Sequence, residues 1–301
     1  MSLSESEDKT LGLIGAGTMG GCILSCLIKS GYDVIVYDPS EKAQQNAKSK
    51  GAKLVGSPGD VAEKANVIFM SLPKPIHVIS VVSGKGGLME KLTEGKIIVD
   101  TSTVDMETSR KNAGIVAEKK ASYVDAPILG RPDSVGNWLL PAGGEEETVN
   151  QIRKFCRSFA KDIVYVGDHG MGNAFKLLNQ LMFSVINAVS AEVMTLADSV
   201  SIDKKKFYEV ISQSGAATVS GLFRETASRI VEGRYDHPTF TIDLLCKDAG
   251  LGIQMAKATN VSPFIASYVQ TLNETARDKG LGSKDTSILA EMFKQFYSKM
   301  G

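Results

Sequence analysis

Six residues near the N-terminus, Gly15-Ala16-Gly17-Thr18-Met19-Gly20, restrict the possible folds more than any other part of the chain. Leu11–Ile14, directly before them, reads as a short buried strand. After them Met19, Ile23 and Leu27 recur at helical spacing until Gly31. A second strand pattern, Asp33–Tyr37, follows and ends at Asp38. A glycine-rich turn between strand and helix has three separable uses. One glycine permits the tight turn, the next lets backbone amides approach a pyrophosphate, and the third lets helix and strand pack closely. The helix N-terminus adds unpaired N–H groups and partial positive charge. Asp38, at the tip of the second strand, is placed to accept hydrogen bonds from the adenosine ribose. These features predict a dinucleotide site built from Gly15, Ala16, Gly17, Thr18, Met19, Gly20 and Asp38. A carboxylate at that tip repels a 2′-phosphate, so NAD is expected, with Lys42 the one nearby cation that would favour NADP.

The rest of the first half repeats the alternation. Val67–Ser71, Ile97–Asp100, Tyr123–Asp125 and Ile163–Val166 are Val/Ile-rich runs bounded by Gly, Pro, Asp or Ser, with helix-length segments between the earlier ones. Such alternation predicts a doubly wound parallel α/β sheet with helices on both faces. After Gly172 no strand pattern appears. Phe175, Leu178, Met182, Val185, Val189, Val193, Leu196 and Val200 recur at steps of three and four, and Leu177, Leu181 and Ile186 fill the other side. That predicts one helix of about 29 residues, about 43 Å long, running through an all-α domain or a subunit interface. Further helices are expected over 204–232, 241–258, 262–279 and 285–299. The boundary falls in the glycine-rich stretch Gly167-Asp168-His169-Gly170, giving domains 1–168 and 169–301.

Composition excludes other classes. With 34 basic and 34 acidic residues the chain has no net charge, which disfavours nucleic acid as a partner. Met1–Thr10 is polar and acidic, unlike a signal peptide. Asn179, Gln180, Asn187 and Glu192 interrupt the most apolar stretch, so no membrane span is expected. Cys22, Cys26, Cys156 and Cys246 form no CxxC pair, so neither a disulfide framework nor a metal site is signalled, and a cytoplasmic location is expected.

The glycine turn is followed in order by Leu72-Pro73, Asp100-Thr101-Ser102-Thr103, Asp125-Ala126-Pro127, Gly170-Met171-Gly172-Asn173-Ala174-Phe175-Lys176-Leu177-Leu178-Asn179 and Lys247-Asp248. Together these resemble the β-hydroxyacid dehydrogenase family over roughly residues 10–295. The resemblance implies a Rossmann-type domain joined by a long helix to an all-helical domain, in homodimers or homotetramers. It implies hydride transfer between NAD, or NADP, and a small 3-hydroxy acid of the 3-hydroxyisobutyrate type or its semialdehyde. Lys176 would be the catalytic acid/base, since an ammonium can stabilise a forming alkoxide and supply its proton. Asn179 and Gln180 would orient the substrate. Leu72, Pro73, His77, Thr103 and Lys247 would contact the cofactor.

One segment departs from the family pattern. Where the family's substrate loop reads Asp-Ala-Pro-Val-Ser-Gly-Gly, this chain has Asp125-Ala126-Pro127-Ile128-Leu129-Gly130-Arg131. Leu129 removes a hydroxyl donor and Arg131 adds a guanidinium, which can hold a carboxylate bidentately. Leu129, Gly130 and Arg131 are therefore the expected substrate-contacting residues. Two competing readings remain: an imine-reductase-like enzyme, which Leu129 suits and Lys176 does not, and a non-catalytic dinucleotide-binding scaffold.

Overall fold

The computed structural model describes residues 9–216, 218 and 220–297. Most of the acidic N-terminal stretch, and the end of the helix expected over 285–299, lie outside them. The chain divides into two compact units, Met1–Lys176 and Leu177–Gly301.

The first unit is built on an eight-stranded sheet. Its strands are β1 (Thr10–Ile14), β2 (Asp33–Tyr37), β3 (Lys53–Leu54), β4 (Val67–Met70), β5 (Ile97–Asp100), β6 (Ser122–Asp125), β7 (Trp138–Gly143) and β8 (Ala160–Gly167), in spatial order β3-β2-β1-β4-β5-β6-β7-β8. The first six are parallel, as the alternation predicts. β7 departs from the predicted pattern: it meets β6 antiparallel, through Asp125 and Gly143, and pairs parallel with β8.

Successive residues of a strand face opposite sides, and both sides here are buried. Leu11, Leu13, Val67, Phe69, Ile97 and Val99 face one core, with Ile23, Leu24 and Leu27 of α1 (Thr18–Lys29), Ala47 of α2 (Glu41–Ser49) and Val149, Ile152 and Phe155 of α6 (Glu146–Cys156). Ile14, Ile68, Met70 and Ile98 face the other, with Val61 and Ala62 of α3 (Pro58–Lys64), Val78 and Val82 of α4 (Pro75–Ser83) and Ala113 and Val116 of α5 (Met106–Ala117). Burial on both faces explains why these strands read as continuous apolar runs. Full burial of each such side chain is worth about 1.5–3 kcal/mol.

The long helix predicted from the apolar periodicity is α7 (Met171–Ser199), 29 residues. By length and composition its stretch Met171–Asp198 could cross a membrane, and half of its most apolar window is buried inside the molecule. The unit boundary falls at Lys176, beyond the predicted 168, because the first turn of α7 is fastened to the sheet. In the second unit follow α8 (Lys204–Gln213), α9 (Gly221–Glu232), α10 (Ile242–Ala258), α11 (Phe264–Ala276) and α12 (Leu289–Tyr297). The predicted 204–232 helix is thus two helices. α9 has its own start, where Ser220 Oγ accepts the Phe223 N–H at 2.9 Å.

A buried polar hub ties this unit together. Asn187, fully buried, donates from Nδ2 to the Thr286 carbonyl (2.9 Å). Its Oδ1 accepts from the Thr226 and Thr286 hydroxyls (3.1 and 3.2 Å). Asn187→Ala leaves several buried groups without partners. Unmade bonds of this kind cost about 1–3 kcal/mol each, so the urea midpoint followed by far-UV circular dichroism should fall clearly. An unchanged midpoint would show the hub to be dispensable.

Candidate functional site

Strand register brings the predicted cofactor residues of the first unit to one edge. Ile14 pairs with Tyr37 and Met70, Met70 with Asp100, and Asp100 with Asp125. The strands therefore end level, and Gly15, Asp38, Leu72, Thr101–Thr103 and Ala126 emerge along the same carboxyl edge. Strand order reverses between β1 and β4, the switch point at which open α/β sheets bind ligands.

Each glycine of the turn meets a different constraint. Gly15 has φ +89°, and a Cβ there would stand 2.3 Å from the Ser71 carbonyl oxygen. A Cβ on Gly20 would stand 1.9 Å from the carbonyl oxygen of Gly15, so helix and turn touch directly. A Cβ on Gly17 would meet nothing within 4 Å, so its side of the turn is open to a ligand. Gly17 caps α1 without a side-chain hydrogen bond, and the first turn of α1 carries no acid. Its amides and the positive end of its dipole are thus left for a phosphate. Ala16 is buried, Met19 half-buried and Thr18 exposed.

Asp38 does more than the spacing suggests. It is buried, its Oδ2 accepts the Ala16 N–H at 2.7 Å, and its Oδ1 accepts the Ser40 N–H at 2.8 Å. The carboxylate thereby staples the turn to the end of β2, and each oxygen keeps a lone pair for a ribose hydroxyl. Beside the turn lies a cavity of about 570 Å³ whose lining includes Gly17, Thr18, Ser40, Lys29, Lys42 and Lys50. Across the switch point, Leu72 donates its N–H to Ser102 Oγ at 2.9 Å, which joins the loops after β4 and β5. Leu72 and Thr103 are half-buried, and Pro73 and His77 are exposed.

Lys176, half-buried, sits near the start of α7, and that start is anchored. Asp125, fully buried, accepts the Gly170 N–H at Oδ1 (2.6 Å) and the Asn173 N–H at Oδ2 (2.9 Å). Asn173, also fully buried, accepts the Val104 N–H (3.0 Å) and donates to Ser109 Oγ (3.1 Å). Gly170 has φ +90°, and a Cβ on Gly172 would stand 2.3 Å from the Asp125 carbonyl oxygen. The Gly-x-Gly before Lys176 therefore lets the helix approach the sheet. Burial raises the Asp125 carboxyl to about 7 against the two amide bonds that lower it, and Asp100 nearby raises it further. A raised carboxyl stabilises the fold fully below its unfolded value near 4, and that contribution is lost as pH rises through about 7. Asp100 itself, pushed up by burial, accepts from the Tyr123 hydroxyl at 2.6 Å.

The divergent loop is held by its backbone. Leu129 and Leu139 exchange N–H···O bonds of 2.9 and 3.3 Å. Trp138 Nε1 donates to the Arg131 carbonyl at 2.6 Å, and the Arg131 N–H donates to Ser134 Oγ at 3.0 Å. A Cβ on Gly130 would stand 2.0 Å from Trp138 Cδ1. Leu129 and Arg131 are half-buried. His169 lies 3.5 Å from the Glu145 carboxylate.

In the second unit, Gln180 is buried and donates from Nε2 to Asp248 Oδ2 at 2.6 Å. Its Oε1 accepts from Asn179 Nδ2 at 3.4 Å, and Lys247 Nζ lies 2.8 Å from Asp248 Oδ1. Gln180 is thus spent on orienting its neighbours. Sequence reasoning assigned no role to Asp125, Asn173 or Ser102. The signal at hand was the paired glycines, which mark where α7 touches the sheet.

The turn, the bare helix end and Asp38 fit a nicotinamide dinucleotide. Residues 10–167 match the family described as the NAD-binding domain of 6-phosphogluconate dehydrogenase. Residues 170–293 match that described as NAD-binding of NADP-dependent 3-hydroxyisobutyrate dehydrogenase. A probable mitochondrial 3-hydroxyisobutyrate dehydrogenase of Dictyostelium discoideum is 30% identical over 97% of this chain and 93% of its own. A 3-hydroxyisobutyrate dehydrogenase from Salmonella typhimurium superposes with a TM-score of 0.85 at 24% identity, covering 94% of this chain and 99% of its own. A Streptomyces aurantiacus imine reductase does so with 0.64 at 20% identity, covering 95% and 99%. The fold and turn define a nicotinamide-dependent oxidoreductase. The chain belongs to the β-hydroxyacid dehydrogenase family.

The glycine geometry yields a paired test. Gly17→Ala should leave the melting temperature within a few degrees and weaken NADH binding, read by nucleotide fluorescence. Gly20→Ala should lower the melting temperature. Equal effects of both on stability would refute this division of roles.

Proposed function

We propose that this protein interconverts a small 3-hydroxy acid of the 3-hydroxyisobutyrate type and its semialdehyde, with Lys176 as acid/base. The observation that carries the reading is a half-buried lysine near the anchored start of α7, in a unit that also holds the dinucleotide turn. Bound nicotinamide supplies the hydride acceptor or donor. During reduction the Lys176 ammonium stabilises the forming alkoxide and gives it a proton; during oxidation the neutral amine takes the hydroxyl proton. Asn179, one helical turn along α7, would orient the substrate, with Gln180 behind it, and Lys247 would contact the cofactor.

NAD is the proposed form, because the Asp38 carboxylate lies at the tip of β2. Ser40 and Lys42 beside it are the groups through which NADP would be accepted. The substrate carboxylate would be held by amides near Gly130 and by the Arg131 guanidinium. Leu129 makes that subsite less polar than the family's serine. Homo-oligomer formation is proposed from the exposed apolar stripe on α7, where Phe175, Leu178, Met182, Val189, Val193 and Leu196 recur on one side. An imine-reductase-like reading rests on Leu129 and the shared fold, and the retained Lys176 speaks against it. A screen of NAD(P)H turnover with 3-hydroxy acids, semialdehydes and cyclic imines separates these readings, and no turnover at all would point to a binding scaffold.

Lys176→Ala should lower kcat by about 10²–10⁴ with NAD affinity little changed. Turnover within threefold of the parent would remove Lys176 from the chemistry. Arg131→Ala should raise KM strongly and affect kcat less, the pattern of lost uniform binding. An unchanged KM for every active hydroxy acid would make Arg131 a bystander.

A further inference from the structure

The two fully buried polar residues at the start of α7, Asp125 and Asn173, have no part in the chemistry above. Both could have been apolar in a unit that needed only core. Instead they make four hydrogen bonds around a single helical turn. Asp125 takes the Gly170 and Asn173 amides at 2.6 and 2.9 Å. Asn173 takes the Val104 amide at 3.0 Å and gives to Ser109 Oγ at 3.1 Å. Each bond has one end near the start of α7 and the other on the sheet edge or the start of α5. Val104 directly follows Thr103, on the loop that Ser102 ties to Leu72. Lys176 lies three residues beyond Asn173, so the two share a helix face one turn apart.

We propose that Asp125 and Asn173 are positioning residues for proton transfer. They lock the first turn of α7, one turn ahead of Lys176, onto the loop that carries Thr103, and so set where the ammonium stands along the carboxyl edge. The inference rests on the assignment of Lys176 as acid/base. Packing alone would need only the close approach that Gly172 already allows. The amides add direction: a helix held at two N–H groups can neither slide nor rotate about its axis without breaking one of them. Sub-ångström placement matters because a misplacement of about 1 Å at a reacting centre can cost about a hundredfold in rate.

Asn173→Ala should lower kcat roughly tenfold to a hundredfold. The KM for NAD should stay within about twofold, and the solvent deuterium isotope effect on kcat should grow as proton transfer becomes limiting. Ser109→Ala removes a single bond and keeps the fold even where Asn173→Ala does not; it should lower kcat a few-fold. The decisive measurement is the double substitution. Combined with Lys176→Ala, either change should add no further loss, because a residue that acts through Lys176 has nothing left to position. If the losses multiply, the pair is structural only and the inference fails while the Lys176 assignment stands. If Lys176→Ala is itself harmless, the assignment fails and the inference with it.

Discussion

A buried carboxylate at the end of β6 holds the start of a long helix against the sheet. Asp125 ends β6, on the edge where the nucleotide-binding turn also emerges, and it receives two amides from the first turn of α7. The helix end offers unpaired N–H groups and partial positive charge, and the carboxylate answers both. Burial makes the arrangement costly for the ionised form, and the two amide bonds offset part of that cost. The close approach depends on Gly172, whose hydrogen faces the Asp125 and Pro141 carbonyls where no Cβ would fit. Remove any one of the three and the helix end loses either its seat or its partner.

The same logic recurs at the nucleotide turn. There too a buried acid at a strand tip, Asp38, binds backbone amides and fixes a glycine-bearing segment. Both segments lead into helices: α1, whose first-turn amides are left for a phosphate, and α7, whose second turn carries Lys176. The edge is thus braced at two strand tips by carboxylates that answer backbone, while Gly17 and Thr18 stay exposed.

How much of this could be read from the chain follows from the range of each signal. The turn, the buried parallel strands and the long helix are local patterns, and each appears in the structure within a few residues of its expected place. β3 was not legible because it is two exposed residues, Lys53–Leu54, with no periodicity to detect. β7 was hidden by its composition, since Trp138–Gly143 contains Pro141 and ends in glycine. The break between α8 and α9 was masked by continuing apolar spacing. The bonds from Asp125 to Gly170 and Asn173 span more than forty residues, and no local pattern encodes them. Gln180 shares a helix face with Lys176 and is expected, with Asn179, to orient a substrate. In the fold it turns inward to Asp248, a partner 68 residues away.

The divergent loop shows why substrate choice is harder to read than reaction class. Much of its path is set by main-chain groups. The ladder to Leu139 uses main-chain atoms, and the Arg131 carbonyl, not its guanidinium, receives the Trp138 indole N–H. Only Gly130 is sterically fixed, because the indole lies where a Cβ would stand. Loops vary in sequence more readily than the elements they connect. The serine-to-leucine and glycine-to-arginine departures from the family pattern fall on either side of that glycine. They replace a hydroxyl by an apolar chain and a hydrogen by a guanidinium, which changes the polarity and charge of the loop.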